Sequence, residues 1–243
     1  MRYKTLTTSL LLTLSLSTAS LAQTGSDAEF EQRIRNYILD NPAVIVEAIQ
    51  RWQQQQQEAE AQQYQATLAR LHDDLYNNPT TPILGNPNGD VAVIEFVDYN
   101  CGYCRRAFND LLALADGDGQ VKILMKEFPI LGEGSLFASR AALAAQKQGG
   151  YEALHTALMR ASGQVNERQV LALAREAGLN VRQLQQDMQD PSIDAILQSN
   201  QALARQLGIN GTPGFIIGEE IVRGAVGLAQ LQRLVNAARS SGS

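Results

Sequence analysis

Cysteine, histidine and tryptophan are nearly missing from this chain: two, two and one among 243 residues. A closed zinc site wants about four nitrogen or sulfur ligands. The two histidines, His72 and His155, lie in helical segments far from the cysteines and read as surface or packing residues. Positive charge is also short. Lys and Arg number 20 against 25 Asp and Glu, a formal net charge of −5 with no basic run, which argues against nucleic acid or anionic lipid as a partner. Past the first residues no stretch is long and apolar enough to span a bilayer, which takes about 20 residues. What remains is a chain 44% hydrophobic, enough for one good core and something extra.

The start, MRYKTLTTSLLLTLSLSTASLAQ, has the three parts of a secretory signal. Arg2 and Lys4 make a basic beginning, Leu10 to Leu16 an apolar stretch too short for a membrane span, and Ser20-Leu21-Ala22 a small-x-small cleavage site. Residues 1–22 are therefore expected to be removed after Ala22, leaving a mature protein in the periplasm. Loss of Arg2 and Lys4 would move the formal charge from −5 to −7.

An exported chain lives where disulfides persist, so paired cysteines normally read as staples. These two lie three apart, in Asn100-Cys101-Gly102-Tyr103-Cys104. A bridge closing so small a loop takes little entropy from the unfolded chain, because its stabilisation grows with loop length. Redox chemistry is the reading left.

Residues 23–27 form a polar leader, and from about Glu29 to Tyr76 nearly everything favours helix. Phe30, Ile34, Tyr37 and Ile38 recur at helical spacing. Asn41-Pro42 then supplies a cap and a first-turn proline. The next helix carries Val44, Ile45, Ile49 and Trp52, a Gln-rich middle from Gln53 to Gln57, then Tyr64, Leu68, Leu71 and Leu75. With apolar ends and a polar middle it cannot bury much against its own domain. Its ends would be satisfied by the same segment of another copy, which predicts a homo-oligomer, trimer slightly before dimer, packed near Ile34 to Trp52. Asn77-Asn78-Pro79 reads as a linker, so residues 23–79 form an oligomerisation segment.

From Thr80 the pattern alternates. Val91 to Val97 is an apolar run with one carboxylate, Glu95, as expected of a central strand covered on both faces. It leads into the cysteines and a helix stopped by Gly117-Asp118-Gly119. Val121 to Met125 is the next strand, and a helical block fills 135–207, broken at Gly149-Gly150, Gly163, Gly178 and Pro191. Strands Gly214–Ile217 and Glu220–Val222 and a helix near Leu228–Ala238 complete an α/β layout over 80–243. A buried carboxylate such as Glu95 has a raised pKa and can trade protons with a nearby thiol.

The order Val-Ile-Glu-Phe-Val-Asp-Tyr-Asn-Cys-Gly-Tyr-Cys, then Lys126-Glu127-Phe128-Pro129-Ile130-Leu131, then Gly211-Thr212-Pro213 resembles the DsbA family of thioredoxin-fold proteins. Tyr37-Ile38-Leu39-Asp40-Asn41-Pro42 and the helix after it sharpen the likeness to the suppressor-of-copper-sensitivity, or ScsC, branch. The resemblance implies a thioredoxin fold with a helical insertion behind an N-terminal helical segment. It implies a cis proline at Pro213 beside the cysteines, with Thr212 offering its backbone to a substrate strand by β-addition. It also places Glu95 beneath Cys104, paired with Lys126.

Disulfide exchange needs an attacking thiolate and a second thiol that releases the mixed disulfide. Cys101, at a helix start, is the expected nucleophile, because free N–H groups and the helix dipole favour its thiolate. Cys104, one turn inside, is the resolving thiol. Gly102 and Tyr103 tune the pair. The strongly oxidising members of the resembled family carry histidine next to the second cysteine; Gly-Tyr, with Thr212 before the proline, is instead like the DsbC-type isomerases. The expected activity is protein disulfide exchange in the cell envelope, isomerase-like, without a cofactor. It would act on exported proteins with cysteines and need a membrane redox partner to reset the pair. A DsbA-type dithiol oxidase, or copper(I) binding by the same two thiolates, is the alternative.

Overall fold

The computed structural model describes residues 19–242, with side chains from residue 27. The signal-like residues 1–18 lie outside the described residues. The chain divides into two compact units, residues 1–61 and 62–243.

In the first unit helix α1 spans Ala19–Asp40, beginning ahead of the expected Glu29, and α2 spans Ala43–Arg70. The break between them is closed by Asn41, whose backbone N–H and side-chain amide both donate to the Tyr37 carbonyl at 2.9 Å. Phe30, Ile34, Tyr37, Leu39, Val44, Ile45, Val46, Ile49 and Trp52 are all exposed.

The second unit begins within the last turns of α2. Helix α3 (His72–Tyr76) follows, then strands β1 (Ile83–Gly85) and β2 (Val91–Val97), helix α4 (Gly102–Asp118) and strand β3 (Val121–Glu127). Helices α5 (Glu133–Ala145), α6 (Tyr151–Arg160), α7 (Glu167–Glu176), α8 (Val181–Asp187) and α9 (Pro191–Gln206) make the insertion. Strands β4 (Gly214–Ile217) and β5 (Glu220–Arg223) and helix α10 (Leu228–Ser241) end the chain. The sheet order is β1-β3-β2-β4-β5. Strands β2 and β3 run parallel, Glu95 beside Met125 and Val97 beside Glu127; every other pairing is antiparallel.

Side chains alternate across a strand, so the sheet has two faces. On one, Val93, Val97, Ile123, Met125, Phe215 and Ile217 pack with Phe108 and Leu111 of α4, Leu231 of α10 and the insertion. On the other, Ile94, Phe96, Leu124 and Ile216 pack with Leu68, Leu71, Leu75, Leu203 and Leu207. The sequence reading offered Leu68, Leu71 and Leu75 to another copy; they are buried in their own unit instead. The physical cause is the second face of a two-sided sheet, which these leucines and α9 cover. The Tyr64 hydroxyl donates to the Leu207 carbonyl and Gln65 to Glu219 at 3.0 Å, fixing the end of α2 there.

Candidate active site: a thiol pair at the start of helix α4

A short loop joins the apolar strand β2 to helix α4, and Cys101 is the N-cap residue of that helix. Cys104 therefore sits in the first turn, on the buried side. Both thiols are free; Cys101 keeps 6% of its surface exposed and Cys104 none. The peptide bond Thr212–Pro213 is cis, and the Cys101 thiol donates to the Thr212 carbonyl at 3.1 Å. The hydrogen bond from the Cys104 side chain, then those from the Thr212 side chain and from the N–H groups of Cys104 and Tyr103, outweigh burial and hold the Cys101 pKa down at about 5. Burial first, then Cys101 and the charge of Glu95, push Cys104 far up. One thiol is ready to attack and its neighbour holds its proton. Tyr103 is exposed, with the Arg106 guanidinium 4.3 Å from its ring centre. Gly102 is exposed beside it, and a Cβ there would come no nearer than 3.8 Å to Arg106.

Glu95 is buried on the face that carries Cys104. Its Oε1 has no hydrogen-bond partner among the described residues. Burial, then the charges of Glu127 and Cys101, raise its pKa well above the usual carboxylate range. Lys126 is a correction. Strand alternation turns it to the opposite face, where Nζ donates to the Asp74 carbonyl at 2.8 Å and to Thr81 Oγ1 at 2.7 Å. It makes no ion pair with Glu95 among the described residues. Burial lowers its pKa to about 8.

The loop before Cys101 is held by residues to which the sequence reading gave no role. The fully buried Asp98 carboxylate accepts from the N–H groups of Asn100, Ile130 and Leu131 and from Ser135, at 2.7–2.9 Å. The Asn100 amide pairs with Val165 as a peptide would, accepting from its N–H at 2.7 Å and donating to its carbonyl at 3.1 Å. A Cβ at Gly134 would lie 2.4 Å from that carbonyl, so only glycine leaves room. Arg105 bonds the carbonyls of Tyr99 and Gly163, tying the insertion to the redox loop. Behind Tyr99, Glu127 is buried and accepts three hydroxyls. The one signal for it in the sequence was a second carboxylate closing an apolar strand, disguised by Lys126 beside it.

A pair of thiols at a helix N-terminus, facing a cis-proline loop on a β-α-β core, defines a thiol–disulfide oxidoreductase of the thioredoxin class. Residues 77–237 match the family model described as thioredoxin, and the chain belongs to that family. Residues 27–59 match the model described as the copper resistance protein ScsC N-terminal domain. A thioredoxin-like oxidoreductase from Silicibacter pomeroyi DSS-3 is 54% identical, covering 69% of this chain and 97% of its own, with a TM-score of 0.68. The catalytic domain of Proteus mirabilis ScsC is 31% identical over 72% of this chain and 98% of its own, TM-score 0.66. The thiol–disulfide exchange protein α-DsbA2 from Wolbachia pipientis is 29% identical over 74% and 97%, TM-score 0.68. Over 160 residues the chain is also 24% identical to a Na(+)/H(+) antiporter NhaA from Herminiimonas arsenicoxydans, spanning a quarter of that protein's length.

Proposed function

We propose that the protein exchanges disulfides with exported proteins in the periplasm, as an isomerase rather than a simple oxidase. The observation that carries the exchange reading is the geometry of two free thiols within one helical turn at the start of α4, Cys101 against the cis Thr212–Pro213 bond and Cys104 fully buried behind it. That geometry holds Cys101 as thiolate above about pH 5 and keeps Cys104 protonated. Cys101 attacks a client disulfide, Cys104 resolves the mixed disulfide, and Glu95 takes the proton Cys104 must lose. Thr212 and Pro213 lie beside Cys101 and take the client strand by backbone pairing. Gly102-Tyr103 between the cysteines and Thr212 before the proline support the isomerase preference. The exposed apolar side chains of α1 and early α2 support self-association, which would hold several redox sites near one client. A membrane partner resets the pair.

The test uses scrambled ribonuclease and insulin as clients. Cys101→Ser abolishes turnover on both; Cys104→Ser accumulates mixed disulfides through Cys101. If Cys104 proved the more acidic and accessible thiol, the two roles would be reversed. Faster oxidation of a reduced client than repair of a scrambled one would make the protein an oxidase. The description of the matching N-terminal domain favours one second reading, copper(I) held by the two thiolates, tested by titrating the reduced protein with copper(I).

A further inference from the structure

Glu127 is a buried carboxylate that takes no part in the thiol and proton transfers of Cys101, Cys104 and Glu95. It lies in the row of β3 that faces Cys104. The register sets Glu95 beside Met125 and Val97 beside Glu127, so the two glutamates are diagonal neighbours on one face of the sheet. Their surroundings differ. Glu127 Oε1 accepts from the hydroxyls of Tyr99 and Tyr151, each at 2.7 Å, and Oε2 from Ser139 at 2.6 Å. Tyr99 is free to give its proton to Glu127 because its oxygen can accept from His155 Nδ1 at 2.9 Å. Glu95 Oε1 has no donor among the described residues.

We propose that Glu127 is a positioning residue for the exchange reaction: a buried anion caged by three hydroxyls, whose charge keeps a proton on Glu95 beneath Cys104. When two buried carboxylates this close carry one negative charge, it rests where fixed donors solvate it, and the proton rests on the other. Glu127 titrates near pH 7, raised by burial and lowered by its three hydroxyls, and its charge is second only to burial in raising Glu95. The other titratable groups around the pair are Cys101 and Cys104 from α4, Asp98 and Tyr99 from the loop, and Tyr151 and His155 from α6. Lys126 is on the far face. His155 is kept neutral by burial, its pKa near 3.

The proposal rests on the reading of Glu95 as the proton partner of Cys104. When a client thiolate attacks Cys101 of the Cys101–Cys104 disulfide, the bond between the two enzyme sulfurs breaks and a client–Cys101 bond forms. Cys104 leaves as thiolate and takes the proton of Glu95. In reverse, Cys104 returns that proton to the Glu95 carboxylate, bonds to Cys101, and the client departs as thiolate. A proton held on Glu95 favours release of Cys104.

Side-chain carboxyl carbons of glutamate, followed by NMR across a pH series in the reduced full chain, test this. Glu127 ionises before Glu95 in the wild type. In Glu127→Gln the Glu95 titration falls by roughly one pH unit or more, and the rate of Cys104 release loses its acid-assisted limb at a correspondingly lower pH. Where Glu127→Gln does not fold, Tyr151→Phe, one donor fewer, raises the Glu127 titration. A Glu95 titration unmoved by Glu127→Gln, or a Glu127 that ionises after Glu95, overturns the coupling. A Glu95→Gln enzyme with wild-type rates at every pH overturns the role of Glu95 itself, and Glu127's part in the reaction with it, while the NMR shift would still be seen.

Discussion

Cys101 is a thiolate from about pH 5 upward, against about 9 for the unfolded thiol, and the sign of its effect on stability follows. The folded state holds the proton less tightly, so the contribution is fully present above pH 9 and is lost as pH falls through 5. The oxidised form lacks it. The denaturant midpoint of the reduced protein should therefore rise relative to the oxidised one between pH 5 and 9, and alkylation of Cys101 should reach half its limiting rate near pH 5. Cys104→Ala removes the largest cause of the shift and should move that alkylation midpoint upward. The two cysteines were legible because their chemistry is written in adjacent letters, whereas the cis Thr212–Pro213 bond beside them was reachable only through the family resemblance, since nothing local in Gly-Thr-Pro favours cis. Glu95 was legible for a different reason: a lone carboxylate in an apolar strand must be buried. Lys126 was misassigned because a motif gives position along a strand but not the partner its side chain meets, and alternation sends it away from Glu95. Lys126→Met should accordingly leave the exchange rate and its pH profile unchanged, whereas Glu95→Gln should slow the step in which Cys104 loses its proton. Glu127 carries the opposite pH signature to Cys101. Its pKa, raised by burial from about 4.5 to about 7, means that its contribution to stability is full below pH 4.5 and is lost as pH rises through 7.

Among the elements, β2, β3, β4, α4 and α10 could be read from the sequence because each has a plain period and a plain stop. Gly119, with φ 71° and its N–H on the Ala115 carbonyl, ends α4 where the Gly-Asp-Gly run stands. Strand β1 was missed. Three residues between turn formers have no period to detect, and they become a strand by pairing with Lys122 to Leu124 across the sheet. The last turns of α2 were misread for a related reason: an apolar stripe reveals that a face is buried, not what covers it. Leu75 is fully buried against the sheet. Leu75→Ala should cost about 2–5 kcal/mol, measured as a lower denaturant midpoint of the catalytic unit. Ile49→Ala, in the exposed stripe of the first unit, should leave that midpoint unchanged.

At the scale of the whole molecule, the division between Ala61 and Gln62 tells where disulfide exchange and the proposed self-association could be tested apart. Cutting after Tyr76 would strip Leu68, Leu71 and Leu75 from the sheet and expose Phe96 and Ile94, so the loss of function that followed would say nothing about assembly. Removing residues 23–61 leaves those leucines, Tyr64 and Gln65 in place. The shorter chain should keep its redox site, exchange a small disulfide at the full-length rate, and be a monomer by light scattering. The segment removed carries nine large exposed apolar side chains, from Phe30 to Trp52. Soluble monomers rarely carry a contiguous apolar patch of more than a few hundred Å², and self-association is the simplest way to cover one. The intact mature chain should therefore be a homo-oligomer, and Ile49→Glu, placing a charge in that patch, should dissociate it without disturbing Cys101. If isomerisation depends on several redox sites gripping one misfolded client, both the truncated chain and Ile49→Glu should lose most repair of scrambled ribonuclease while retaining insulin reduction. A monomeric intact protein would end the assembly argument. An oligomer whose dissociation left scrambled-disulfide repair untouched would separate assembly from isomerase activity and leave the latter to Gly102, Tyr103 and Thr212 alone.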